Sequence, residues 1–130
     1  MLELGKKLVV NMLEKIVRIG RLFDLYSALL TEKQQRCVEL HYLQDFSLSE
    51  IAEELCVSRQ AVHDMLRRAE HILEEYEGKL RLLERQEQDR EILRQVQQLL
   101  MSLPENMQNI PALGEARRQL SMLLEVAHDI

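Results

Sequence analysis

Apolar residues recur at intervals of three and four along most of the chain, which is the spacing that places side chains on one face of an α-helix. The first such run covers residues 12–30. Its stripe consists of Leu13, Ile16, Val17, Gly20, Phe23, Leu29 and Leu30. Strict alternation of apolar and polar residues, which is typical of a half-buried strand, does not occur. The pattern therefore predicts an all-α protein without a sheet.

Residues that cap helices divide this pattern into elements. Thr31 and Gln34 form a capping box, because the Thr31 side chain accepts from an otherwise unpaired amide while Gln34 reaches back. This box predicts a second helix over 32–43, with three residues facing inward. Those residues are Cys37, Leu40 and Leu43.

Two further capping residues follow within a short distance. Ser47 and Glu50 repeat the capping box and predict a short third helix over 48–55. Ser58 is an N-cap for a fourth helix that begins at Arg59. Between residues 59 and 83, Gly78 is the one residue that could stop this fourth helix, which is otherwise expected to run unbroken through that range.

The remaining chain predicts a helical extension. Residues 84–91 lack apolar positions and fit either a solvated stretch of helix or a bend, and the stripe resumes over 92–103. Pro104 and Pro111 bound a loop, and a last helix is expected over 112–128.

These elements group into a helix-turn-helix domain and an extension. We expect the domain over residues 12–83, with its motif at 48–67. The extension, residues 84–130, either packs on that domain or forms a dimer. Residues 1–11 are a leader whose status the sequence leaves open, because Met12 begins the first clear amphipathic helix.

The segment LSEIAEELCVSRQAVHDMLR, residues 48–67, meets the joint requirements of a helix-turn-helix. Ala52 supplies the small residue where two helices cross, and Cys56 lies at a turn position where glycine is favoured because φ there is often positive. Five positions of the wedge between the helices are apolar. They are Ile51, Leu55, Val57, Val62 and Met65. In this motif the N-terminal residues of the second helix face base edges in the DNA major groove.

The side chains expected on the DNA-facing surface fit that role chemically. Arg59 suits guanine and Gln60 suits adenine, because each matches the donors and acceptors of that base. Arg67 and Arg68 lie further along and suit phosphate contacts. The complete candidate set is Ser47, Ser49, Ser58, Arg59, Gln60, His63, Asp64, Arg67 and Arg68.

Net charge limits the kind of nucleic-acid binding that is expected. The chain has 17 Lys and Arg against 22 Asp and Glu, a net charge of −5, which argues against a protein that coats nucleic acid. Residues 31–57 are acidic, whereas residues 1–30 and 58–71 are mildly basic. Five cations in 1–30 form either a supporting phosphate patch or a solvated helical face. They are Lys6, Lys7, Lys15, Arg18 and Arg21.

Residues 23–77 resemble the YlxM (p13-like) family of small bacterial helix-turn-helix proteins, through the blocks YSALLTEKQ, SLSEIAEE and VSRQAV. The resemblance implies a regulatory component of the signal recognition particle pathway, because the family is usually encoded beside genes of that pathway. The same blocks are similar to the C-terminal helix-turn-helix domain of sigma factors. That likeness implies a head without a wing and base-reading roles for Ser58, Arg59, Gln60 and His63, whereas Cys56 departs from a common glycine.

No catalytic chemistry is expected. The sequence has no glycine-rich phosphate loop, nucleophile elbow or paired-cysteine zinc spacing. Cys37 and His41 share a helical face but lack further ligands, so they fit a buried thiol beside a partly exposed histidine. We therefore expect no cofactor, no metal and no enzymatic activity.

Two functional hypotheses follow. The first is a cytoplasmic, homodimeric regulator that binds double-stranded DNA and is linked to the signal recognition particle pathway. Dimerisation is inferred because one recognition helix with a local charge near +1 binds weakly. The second is a module of the same fold that docks on a protein or RNA of that pathway without reading DNA sequence. No uncharged stretch approaches the ~18 apolar residues of a membrane span, so no membrane partner is expected.

Overall fold

The computed structural model describes the backbone of residues 2–129 and the side chains of residues 2–125. The chain forms two compact units, residues 1–81 and residues 82–130, which we call the head and the hairpin. All regular structure in the described part of the chain is helical, which confirms the all-α prediction.

The head contains four α-helices and two short irregular turns. These are α1 (Leu2–Tyr26), a 3-10 turn (Ser27–Leu29), α2 (Glu32–Val38), a π-helical turn (Glu39–Leu43), α3 (Leu48–Leu55) and α4 (Arg59–Leu80). Helix α4 is the centre of this unit, because α1, α2 and α3 each pack against it.

The core of the head is apolar and continuous around α4. It is made of Ile19, Leu22, Phe23, Tyr26, Leu30, Cys37, Val38, Leu40, Ile51, Val62, Leu66, Ala69 and Leu73, all buried. Among the described residues of the head, Glu77 is the one buried charged residue, and it accepts a hydrogen bond of 2.8 Å from the Tyr26 hydroxyl. The stacked rings of Tyr26 and Tyr76, with centroids 6.0 Å apart, extend this packing.

All three predicted N-caps in the head are present. The Thr31 hydroxyl accepts from the Gln34 amide at 3.2 Å, and the Gln34 side chain accepts from the Thr31 amide at 3.0 Å. Ser47 and Glu50 form the second reciprocal box, and the Ser58 hydroxyl accepts from Ala61 N at 3.0 Å. The predicted starts of α2, α3 and α4 are therefore confirmed, as is the end of α3 at Leu55.

Four residues of the apolar stripe predicted for the first helix are exposed to solvent. Helix α1 begins earlier and ends earlier than expected, and it continues through the leader without a break. Phe23 and Leu30 are buried and Gly20 is partly buried, but α4 covers only the C-terminal part of α1, so the N-terminal members of the stripe face solvent. These exposed members are Leu13, Ile16 and Val17, and Leu29, which is also exposed, lies in the 3-10 turn after α1.

The prediction that Leu43 faces inward is also wrong, since 55% of its surface is exposed. The helix widens after Val38 into a π-helical turn, which the Gln44 amide closes with a 3.0 Å bond to the Glu39 carbonyl oxygen. One additional residue per turn rotates the following side chains around the axis. Cys37 and Leu40, which precede or begin that turn, are buried as predicted.

Helix α4 ends at Leu80 rather than running through Leu83. Arg81 adopts a left-handed conformation with φ of 53°, and its amide bonds to the Glu77 carbonyl oxygen at 2.8 Å. A left-handed residue after the last turn is a common helix end, usually marked by glycine. Here the residue is Arg81, so the sequence has no glycine at position 81 to mark the end of the helix.

The hairpin consists of α5 (Leu82–Met101), one helical turn α6 (Glu105–Gln108) and α7 (Pro111–Asp129), with α5 and α7 packed together. The polar stretch 84–91 is a solvated part of α5, which was one of its two predicted readings. Gln108 closes the connection, donating from its amide nitrogen to the Leu103 carbonyl oxygen at 2.8 Å and accepting from Arg117 Nη1 at 2.6 Å.

Candidate nucleic-acid interface

A three-residue turn connects α3 to α4, and its geometry is that of a helix end closed by a left-handed residue. Cys56 has φ of 56° and ψ of 43°. The Val57 amide bonds back to the Ala52 carbonyl oxygen at 3.0 Å, a six-to-one bond that satisfies one of the last carbonyls of α3. The positive φ predicted at this position is therefore present, on a residue that carries a side chain.

The wedge between the two helices is apolar, as predicted, but its burial is uneven. Ile51 and Val62 are fully buried, while Leu55, Val57 and Met65 are partly buried. Helices α3 and α4 pack against each other around this wedge. Together with the turn, this packing gives the head a helix-turn-helix fold, and the chain is therefore of the helix-turn-helix class.

The candidate DNA-facing residues of α4 all lie on its exposed side. They are Arg59, Gln60, His63, Asp64, Arg67 and Arg68, in the first three turns of the helix. Val62, Leu66 and Ala69 on the opposite side are buried in the core. The core thus holds the backbone of α4 while the polar side is presented to solvent.

Three arginines on this surface are available for a ligand. Arg59, Arg67 and Arg68 are exposed, and none of them has a carboxylate partner among the described residues. Arginine carries five donors in a planar fork that matches both a guanine edge and a phosphate. Unpaired arginines in this position can therefore bind an anionic ligand without first breaking an internal ion pair.

Gln60 and Asp64 are oriented by each other. The Gln60 side-chain amide donates to Asp64 Oδ1 at 3.0 Å, one helical turn away, and His63 Nδ1 lies 3.7 Å from the same oxygen. This bond leaves Gln60 one further N–H donor and its carbonyl oxygen, which are the two groups that pair with adenine N7 and N6.

Two of the three candidate serines act as helix caps. The Ser47 hydroxyl accepts from Glu50 N at 3.1 Å, and Ser58 caps α4 in the same way. Each capping hydroxyl still has its own O–H to donate to a phosphate. Ser49 is exposed in the first turn of α3. Hydrogen bonds from the backbone and side chain of Ser47 hold the pKa of Glu50 below its usual range, so this carboxylate remains ionised.

The basic residues of α1 are partly engaged with α4. Arg18 makes a bidentate pair with Glu74, with N–O distances of 2.7 and 2.8 Å, and Lys15 Nζ lies 3.4 Å from Glu70. These contacts neutralise two carboxylates of α4. They also draw two cations of the predicted phosphate patch into the fold.

Sequence reasoning missed the role of Tyr42 in this arrangement. Its hydroxyl donates to Glu70, and burial followed by that hydrogen bond raises the pKa of Tyr42 well above its usual value. Tyr42 and Glu70 are 28 residues apart, so no local pattern links them. Only the packing of the π-helical turn near α4 brings them together.

The acidic segment before α4, residues 31–57, is partly neutralised. Arg36 lies between two carboxylates, 3.7 Å from Glu39 and 3.9 Å from Glu54. Exposed acidic side chains of α3, such as Glu53, remain near the motif. The first turns of α4, residues 59–68, carry three arginines and one aspartate, whereas α3 presents exposed carboxylates that would repel an anionic ligand.

Cys37 and His41 point to different partners. The Cys37 thiol is fully buried, lies 4.0 Å from the Val62 carbonyl oxygen, and has its pKa raised by burial. His41 Nδ1 is 2.9 Å from the Phe46 carbonyl oxygen. Within the described residues, no group of three His, Cys, Asp or Glu side chains is placed to hold a metal ion.

Comparison with known proteins shows the family. The model of the UPF0122 family, described as "Putative helix-turn-helix protein, YlxM / p13 like", matches residues 13–112. The chain belongs to this family, which is described by its fold and not by an enzymatic activity. The match includes the whole helix-turn-helix and most of the hairpin.

Individual relatives agree with this assignment. The UPF0122 protein YlxM of Bacillus subtilis is 47% identical over 108 residues, which is 83% of this chain and 97% of that protein. A UPF0122 protein of Halalkalibacterium halodurans is 56% identical over 87 residues, 67% of this chain and 80% of its own length. No helix in the described residues is both long enough and apolar enough to cross a membrane.

Proposed function

We propose that this protein is a DNA-binding regulator that reads the major groove with the first turns of α4. The observation that carries the proposal is the set of exposed arginines on that helix, Arg59, Arg67 and Arg68, which have no carboxylate partner among the described residues. Arg59 and Gln60 are proposed to contact bases, with His63 and Asp64 beside them. Ser58 is proposed to lie among these base-reading residues, and Ser47 and Ser49 are proposed to contact the phosphate backbone.

The proposal assigns separate tasks to the two parts of the chain. Residues 12–83 would bind DNA and residues 84–130 would join two copies, so that two weak heads act together. The role is non-enzymatic, and the cytoplasm is the proposed compartment. A regulatory link to the signal recognition particle pathway is proposed from the family resemblance alone.

A selection from a random duplex pool, followed by affinity measurements over a salt series, tests this function. We expect Arg59→Ala to cost about 1–3 kcal/mol at one base position, and Gln60→Ala to relax preference at a neighbouring one. Arg67→Ala should weaken all sequences alike and reduce the salt slope by about one. Arg85→Ala is the matched control, since Arg85 is an exposed arginine on α5 outside the motif.

A second candidate function is supported by the acidic surface of α3. Glu53 and the other exposed carboxylates there would repel phosphate but attract a basic protein surface. This surface supports a docking module for a protein of the signal recognition particle pathway, whereas docking on an RNA of that pathway is proposed from the family resemblance alone. Parallel binding measurements with that particle's RNA and protein distinguish the two. Base reading is wrong if Arg59→Ala and Gln60→Ala leave DNA preference unchanged at every salt concentration.

A further inference from the structure

The hairpin does not enclose a core of its own. Across the described side chains of residues 82–125, Leu83 is the single one that is buried. Large apolar side chains elsewhere in this unit remain open to solvent. They are Leu82, Ile92, Val96, Leu99, Met101, Met107, Ile110, Met122 and Leu123. Two antiparallel helices have too few faces to surround a core, so a hairpin usually buries its apolar surface against further helices.

Helix α5 presents two adjacent rows of apolar residues. The inner row, which includes Leu93 and Leu100, is partly buried, and α5 packs against α7. The second row is displaced by one residue and consists of Ile92, Val96 and Leu99, which are 58%, 38% and 68% exposed. We call this second row the outer seam. Its spacing of four and then three residues is the spacing by which one helix packs along another.

The charges beside the outer seam favour a particular kind of occupant. Residues 95–103, which include Val96 and Leu99, contain no charged side chain, whereas Asp89 lies one turn before Ile92 at the start of the seam. Gln95 flanks the seam on one side, and Leu93 and Leu100 flank it on the other. Nearby, Arg94 is 3.7 Å from Glu91 on the same helix. A neutral apolar seam matches another neutral apolar helix and offers no cationic face for anionic lipid.

A second copy of the chain supplies such a helix. Pairing the seam with itself places no like charges opposite each other over 95–103, in either helix direction. A two-fold interface of this type is self-complementary, because the same patch serves both partners. Two hairpins joined in this way form a four-helix arrangement with enough faces to enclose a core.

We propose that the outer seam of α5 packs against the outer seam of a second copy, so that two hairpins join two heads in a homodimer. The biological purpose of this dimer rests on the proposed function, because linking two heads raises their affinity for paired half-sites. The pairing itself depends only on the hairpin. It can therefore be tested separately from DNA binding.

The first test is the mass of the full-length protein by sedimentation equilibrium between about 1 and about 100 μM. We expect a dimer, and we expect Leu99→Glu to weaken self-association at least ~100-fold by placing two carboxylates in the seam. Gln98→Glu is the matched control, because it adds the same charge one residue away, at an exposed position outside the seam. This control should remain dimeric.

A second measurement guards against a variant that fails to fold. In a Cys56→Gly background, which removes the exposed thiol, Val96→Cys should form a disulfide-linked dimer on oxidation. Gln98→Cys, prepared identically, should form far less. Equal cross-linking of the two would overturn the proposed seam.

Other outcomes separate this inference from the proposed function. The pairing is overturned if the wild-type chain stays monomeric throughout the concentration range. This holds whether or not the chain binds to phosphatidylglycerol vesicles. A Leu99→Glu protein that remains dimeric also overturns the pairing. A dimer that dissociates on Leu99→Glu but binds no duplex upholds the pairing and rejects DNA binding.

Discussion

Cys56 shows how the backbone conformation of one residue ends a helix and redirects the chain into the next one. Its left-handed backbone turns the chain from α3 into α4 and allows the Val57 amide to bond back to α3. A residue with a Cβ adopts this conformation at a cost of about 1–2 kcal/mol, which glycine avoids. The thiol makes one weak contact, at 3.9 Å to the Glu53 carbonyl oxygen.

Replacing Cys56 by glycine should therefore stabilise the head. We expect Cys56→Gly to raise the free energy of unfolding by about 0.5–1 kcal/mol, after allowing for the greater freedom of glycine in the unfolded chain. Urea denaturation followed by far-UV circular dichroism measures this change. Cys56→Ala retains the Cβ and should give no comparable gain. If both variants stabilise equally, backbone strain is not the reason.

Also at the residue scale, the Gln60–Asp64 bond gives a structural role to a carboxylate on the exposed side of α4. Asp64 would repel phosphate if it stood alone, but its oxygen accepts from Gln60 and lies close to His63. The bond therefore orients the side-chain amide of Gln60, the group proposed to pair with adenine, and occupies one oxygen of the Asp64 carboxylate.

At the scale of elements, helix α3 combines a cap with a proposed phosphate contact at the same residue. The Ser47 hydroxyl satisfies the Glu50 amide, so its loss affects stability irrespective of any ligand. A simple Ser47→Ala variant therefore mixes two effects. A substitution that keeps the cap and changes only the charge separates them.

Ser47→Asp provides that separation. Aspartate is as good an N-cap as serine, so the free energy of unfolding should stay within about 0.5 kcal/mol of the wild-type value. Its negative charge should weaken duplex binding if the N-terminus of α3 faces phosphate, because like charges then approach each other. Ser47→Ala should instead cost about 1 kcal/mol of stability. Unchanged DNA affinity in Ser47→Asp would remove Ser47 from the interface.

At the scale of the whole molecule, stability is distributed unequally between the two units. The head contains nearly all the buried side chains that are described, arranged around α4, whereas the hairpin contributes Leu83. Amide exchange through local opening is slow where many apolar contacts must be broken together and fast where few are present. The backbone amides of the two units should therefore differ in their protection against hydrogen exchange.

Hydrogen exchange of the full-length Leu99→Glu protein tests this difference. We expect the amides of α4 to exchange through global unfolding of the head, and those of α7 to exchange at least ~10-fold faster. In the Gln98→Glu protein, α7 should regain protection because its hairpin remains paired. Equal protection of α4 and α7 in Leu99→Glu would show that the hairpin is stable without a partner.

Local signals in the sequence were sufficient for much of the head. Capping residues act through bonds three residues apart, so Thr31, Ser47 and Ser58 marked the starts of three helices correctly. The helix-turn-helix was equally predictable, because its wedge and its turn lie within 20 consecutive residues. The available arginines of α4 were identified as candidates for the same reason.

Tertiary packing decided the features that depend on residues distant in sequence. The burial of α1 ends where α4 ceases to cover it, so Leu13 and Ile16 are exposed despite their apolar spacing. The π-helical turn rotates Leu43 outward, and Arg81 ends α4 without a glycine. A periodic pattern reports which side of a helix is apolar, but it contains no information on how far a neighbouring helix extends along that side.

The sequence by itself determined the helical class of the protein, the helix-turn-helix and the side chains that α4 presents, because each rests on contacts within a few turns of chain. Only the tertiary structure decided which charges are available. Lys15 and Arg18 pair with Glu70 and Glu74, whereas the arginines of α4 have no such partner among the described residues. Ion pairs form wherever folding brings opposite charges within about 4 Å, and the distance along the chain does not predict that.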